Sequence, residues 1–230
     1  MQFTTIATGL GTSNKKEIDE DGNLEEEPIS NHMLNELYTG YNIGTDVNLG
    51  VVGNWAIRPS IDEKYEILDP YLMLSHGEVY SIGDFSIGAD LRLSAPVSEE
   101  SKEHGLITAL ASAQQFQWQF SRSRFSLELE TFAQYNFFRK DGDASDLEFH
   151  YEPAVLYQLT GKLQLLMAYE SEMSNRRHED LMQVDNEAAT IKSGVSWEIS
   201  RNANLQPFID FNLKEKSGSL IGAEFNWVIL

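Results

Sequence analysis

The sequence contains no cysteine, which removes disulfides and thiolate metal sites at once. Cations are scarce as well: 17 Lys and Arg stand against 36 Asp and Glu, a formal net charge of −19. Nucleic-acid binding is excluded on that ground, since no basic stripe is available to displace phosphate counterions. Nowhere does an apolar run approach the ~18 residues that a membrane-spanning helix needs. That absence does not touch a β-barrel, whose strands carry only about half their residues as apolar. The first residues, MQFTTIATGLG, lack the basic segment and continuous apolar stretch of a secretory signal, so an exported form is expected to be a mature chain with an added Met. Helix-period segments of convincing length and low-complexity linkers are missing too.

What remains is strand alternation, repeated. In the stretch from Arg124 to Phe138, RFSLELETFAQYNFF, residues Phe125, Leu127, Leu129, Thr131, Ala133, Tyr135 and Phe137 share one parity. Ser126, Glu128, Glu130, Gln134 and Asn136 share the other, which gives one oily and one charged face. In a soluble sheet the oily face packs on a core; in a membrane barrel it meets lipid and the charged face lines the lumen. About twelve such segments follow one another, at roughly 2–13, 29–43, 46–59, 66–79, 84–95, 105–120, 124–139, 146–159, 162–173, 187–199, 205–215 and 219–230.

The connections decide between the two readings. Those after even-numbered segments are tight and rich in turn formers: Gly44-Thr45, Ser81-Ile82-Gly83, Ser121-Arg122-Ser123, Thr160-Gly161 and Ser200 to Asn204. Those after odd-numbered segments are longer and charged: Asn14 to Pro28, Ser60 to Tyr65, Pro96 to His104, Lys140 to Ser145 and Ser174 to Asp185. This sorting puts short turns at one rim and long loops at the other, as in an up-and-down barrel; a Greek-key sandwich has no reason to sort its loops so.

Aromatic residues on the oily parity fall into two bands. Tyr41, Phe85, Trp118, Phe125, Tyr157, Trp197 and Trp227 sit near the short-turn rim, and Trp55, Tyr135, Phe137, Phe149, Tyr151, Tyr169 and Phe211 toward the long-loop rim. Two such girdles around an aliphatic band suit a bilayer, where the ring is buried and its N–H or O–H reaches the headgroups. With these features the chain resembles a small Gram-negative outer-membrane β-barrel of porin or channel type. The resemblance implies an all-β, transmembrane, up-and-down antiparallel barrel forming one domain over residues 1–230, located in the outer membrane, with the lipid bilayer as its partner. Such barrels usually end on an aromatic residue, whereas here the last strand ends in Leu230. Pro70, Pro153 and Pro207 lie on the lipid parity and are expected to mark bulges or rims.

Extending the charged parity around the barrel gives an inward set of Glu36, Asp90, Glu128, Glu130, Glu148, Glu152, Glu170, Glu198, Asp210 and Glu224, with Arg58, Arg92, Lys192, Lys214 and His150 as counterparts. Tyr71, Phe132, Phe138, Leu156, Leu166 and Phe208 share this parity and fill part of the bore. Acids outnumber bases about two to one, an excess that attracts cations in a narrow low-dielectric tube. The expected function is a narrow, cation-preferring pore for ions or small solutes, without enzymatic activity or cofactor. Two alternatives stay open: a barrel plugged by salt bridges with a structural or surface role, and a lipid-modifying enzyme built on Ser75-His76 or Ser101 with His104. In the acidic first loop, Glu17, Asp19, Asp21, Gly22 and Leu24 follow the opening of a calcium loop, but Pro28 stands where a bidentate Glu is required. The expectation there is a solvated loop in which Asp19 and Asp21 make at most loose cation contacts. Oligomeric state is not legible in the chain.

Overall fold

The computed structural model describes residues 2–8, 16–18, 24–26, 32–58, 64–121, 123–139, 145–175, 184–213 and 219–228. Its strands are β1 (Gln2–Thr8), β2 (Lys16–Ile18), β3 (Leu24–Glu26), β4 (His32–Asn42), β5 (Val47–Arg58), β6 (Lys64–Ile67), β7 (Tyr71–Ile82), β8 (Phe85–Ser94), β9 (Leu106–Gln119), β10 (Phe125–Phe138), β11 (Leu147–Thr160), β12 (Leu163–Asn175), β13 (Val184–Ser200), β14 (Ala203–Asn212) and β15 (Ser219–Val228). One short helix, α1 (Glu99–Glu103), lies between β8 and β9.

All neighbours in the large sheet pair antiparallel, and the pairings return on themselves: β15 with β1, β1 with β4 and β4 with β5, then on through β7 to β15. β6 and β7 both pair with β5, end to end, so they form one interrupted stave and the barrel has twelve. β2 and β3 make a separate hairpin in the first long connection. This all-β, closed, up-and-down architecture is the one that the alternation and the sorted loops demand. The turns at 43–46, 121–124 and 161–162 share a rim with both chain ends, as Gln2 opposite Val228 requires.

The expected fourth segment differs most from what forms. Its stave breaks at Leu68-Asp69-Pro70, where Pro70 has no N–H to give the ladder, and β7 then runs on to Ile82. The turn is therefore Gly83-Asp84 instead of Ser81-Ile82-Gly83, and Gly83 takes a φ of 59° that a glycine adopts without strain. The other two prolines also sit where ladders are interrupted. Pro153 pairs with Leu129 on one side while the β11–β12 ladder skips it; Pro207 pairs with Ala223 while the β13–β14 ladder skips it. In each case the missing donor falls on the gapped side.

The outer surface is oily. Leu49, Val51, Leu72, Leu74, Leu91, Leu93, Leu127, Val155, Met167 and Ile221 are all exposed. At the short-turn end Phe125 and Tyr157 are in ring contact at 4.7 Å, and at the other end Tyr135 and Phe137 at 4.8 Å. Inside, Ala154, Leu156, Leu166 and Ala168 form a buried apolar cluster on the β11–β12 wall.

Candidate functional site: a divided lumen

Register places the charged side chains on the inner wall. Glu128 lies opposite Ala154 and Gln117, Glu130 opposite Glu152 and Gln115, and His150 opposite Phe132 and Glu172. On the following staves Lys192 stands opposite Ala168 and Asp210, and Glu224 opposite Gln206. Glu36 faces inward from β4 opposite Asn54, Asp90 and Arg92 from β8, and Glu198 from β13 beside the short-turn rim. Lys214, Asp19 and Asp21 lie outside the described residues, as does the side chain of Arg58.

Among the described residues, two ionic groups engage part of this set. On one wall Arg92 grips Asp90 of its own strand with both arms, Nε to Oδ1 at 2.9 Å and a terminal nitrogen to Oδ2 at 3.1 Å. On the other, the Lys192 ammonium lies 3.4 Å from both Glu152 and Glu170, with His150 Nδ1 3.7 Å from Glu170 and its Nε2 4.0 Å from Glu152. His150, Glu170 and Glu172 also bring one possible ligand atom each within 4.8 Å of one another, although Glu170 is already shared with Lys192. Glu148 accepts from Asn136 at 2.7 Å. Gln115 and Gln117 donate to Glu130 and Glu128 at 3.3 and 3.5 Å.

Among the described residues, two cavities open into the lumen. The larger, about 620 Å³, runs along β5, β7 and β8 past Asn48, Ser75 and Gly88, and reaches Glu130 and His150. The smaller, about 330 Å³, opens at the long-loop end between Asn54, Tyr71, Gln134 and Ser145, and α1 contributes Glu100 and Ser101 to its wall.

α1 is held there by a contact invisible in the alternation pattern. Asp69, freed by the break in its stave, accepts from the N–H groups of Val97 at 2.8 Å and Ser98 at 2.7 Å and from the Ser101 hydroxyl. Ser98 caps the helix by accepting from Ser101 N–H at 3.1 Å. Ser98, three residues before Ser101, is the cap signal in the sequence, but a five-residue helix carries no period and alternation alone predicts loop here. The Ser101 hydroxyl is thus engaged by a carboxylate, not poised as a nucleophile toward His104. In the first long connection, the backbone at 16–18 and 24–26 is a hairpin, in place of the helices that flank a calcium loop.

Solved structures share the barrel fold. An outer membrane channel from Pseudomonas putida F1 superposes with a TM-score of 0.67 at 11% identity, covering 99% of this chain and 95% of that one. The fold is that of an outer-membrane β-barrel. The NanC porin matches at a TM-score of 0.60 and 6% identity over 98% of this chain and 100% of its own, and the KdgM porin at 0.56 and 9% over 100% of both. At such identities the barrels share architecture and not sequence. No protein-family model and no curated protein matches the sequence.

Proposed function

We propose that the chain forms a narrow, cation-preferring pore for ions or small solutes across the outer membrane of a Gram-negative bacterium. The observation that carries the reading is the pair of cavities in the lumen, walled by Glu130, Glu148, Glu172 and Asp90 with few cations among them. Carboxylates fixed in a bore lined by low-dielectric protein raise the local concentration of cations and exclude anions. The structural neighbours are channels and porins by name, which supports a transport role over an enzymatic one. One KdgM structure is described as a complex with disordered oligogalacturonate, an acidic ligand; the carboxylate excess here favours solutes of the opposite sign.

The test is reconstitution in a planar bilayer across a KCl gradient. A reversal potential on the K⁺ side supports the reading, and one on the Cl⁻ side overturns the cation preference. A second reading, the plugged barrel, draws on the ion pairs of Arg92 with Asp90 and of Lys192 with Glu152 and Glu170. Absence of any conductance would favour it.

A further inference from the structure

Arg92, Phe132 and Glu148 line both cavities, so these side chains stand between them. How Arg92 comes to lie there follows from its neighbours. The inner face of β9 carries Ala109, Ala111 and Ala113, and the first two are only 2% exposed although they face the bore. Such small side chains leave room for Arg92 on β8 to lean over β9 until its guanidinium lies 5.6 Å from the ring centre of Phe132 on β10. On its other side the same guanidinium lies 5.3 Å from the Tyr71 ring on β7. The two-armed bond to Asp90 then fixes its plane. Glu36, on β4, is also within electrostatic reach. A shelf from β7 to β10 results, rigid by its aromatic contacts and close to neutral by its carboxylates.

Resting on the pore reading above, we propose that Arg92 is the specificity-determining residue of the lumen: its guanidinium is the partition between the larger and the smaller cavity and sets the width of the path. An ammonium would not serve equally, since Lys offers neither the planar stack between rings nor the two-armed grip on Asp90. The partition is also an electrostatic element held in balance. Removing Arg92 leaves Asp90 uncompensated at the narrow point, while removing the Asp90 charge leaves the guanidinium uncompensated. The two changes push ion preference in opposite directions, which a scaffold role would not do.

The test compares the full chain with Arg92→Ala, Arg92→Lys and Asp90→Asn in planar bilayers. Each is first checked for folding by the heat-dependent shift of its band on a detergent gel. Arg92→Ala is expected to give a severalfold larger single-channel conductance, admit larger neutral polyethylene glycols and move the reversal potential further toward K⁺. Arg92→Lys should widen the path with a smaller change in preference, and Asp90→Asn should move the reversal potential toward Cl⁻. If the parent conducts and Arg92→Ala conducts no better, the partition is overturned while the pore reading stands. A silent parent opened by Arg92→Ala would support the partition and reassign the parent as a closed barrel. Silence of both overturns the partition, and the pore reading with it. Should Arg92→Ala fail to fold, Asp90→Asn decides: a shift toward Cl⁻ supports the proposal and no shift overturns it.

Discussion

Leu127 and Glu128 are adjacent in β10 and meet opposite surroundings. Leu127 points outward and is 39% exposed, whereas Glu128 faces the lumen near Gln117. A charge placed on the lipid face at mid-height must be taken out of water, so Leu127→Arg should cost about 2–4 kcal/mol of barrel stability. Glu128→Gln keeps volume and a polar contact with Gln117 and should leave unfolding almost unchanged. Urea unfolding of both variants in vesicles checks the pair; equal losses would mean that the faces are assigned the wrong way round. Facing was legible at this scale because alternation is a property of single residues and their neighbours. The residues that touch across the bore were not. Nothing in the spacing of Arg92 and Phe132 along the chain announces a contact between strands that are not adjacent. It depends on Ala109, Ala111 and Ala113 of the intervening strand, small inward-facing residues whose effect on a neighbour's reach is not written in the alternation.

Among elements, the twelve staves and their order could be read from period and turn chemistry, since each hairpin is a local event. The break at 68–70 is marked in the sequence by Pro70, but the use made of it is remote and was not legible: Asp69, freed from the ladder, holds the segment that begins at Val97, 28 residues on. Asp69→Ala removes acceptors from two backbone N–H groups and a hydroxyl together, so the segment from Pro96 to His104 should loosen while the barrel persists. Limited proteolysis of the folded variant should cut within this segment, at a site protected in the parent; unchanged protection would remove Asp69 from that role. A second tie joins two turns at the short-turn rim. The Ser121 hydroxyl and its N–H, the latter at 3.0 Å, both donate to Asp84 and hold that carboxyl below its usual range. A lowered folded value means that the tie contributes fully above the ordinary carboxylate range and is lost as pH falls through the folded value. An NMR titration of Asp84 in micelles should therefore find a midpoint below that range, and Ser121→Ala should move it upward.

For the whole molecule the quantity on which the pore reading turns is the balance of fixed charge along a bore that holds cavities of about 620 and 330 Å³. Lys192 is engaged by Glu152 and Glu170, and Arg92 by Asp90, whereas Glu128 and Glu130 of β10 face the lumen and accept from Gln117 and Gln115. Their influence on permeating ions must weaken as salt shortens the Debye length from about 10 Å at 0.1 M to 3 Å at 1 M. Cation preference in the parent should accordingly be strongest in dilute KCl and decline as the concentration rises. Replacing Glu128, Glu130 and Glu152 together by Gln removes three fixed charges from two neighbouring strands with little change in volume, and it also frees Lys192 from one of its two partners. Both effects act in the same direction, so the reversal potential should move toward Cl⁻ by more in 0.1 M than in 1 M salt. An unchanged potential in the folded triple variant would show that the charges near the partition, not these three on β10 and β11, select the ion.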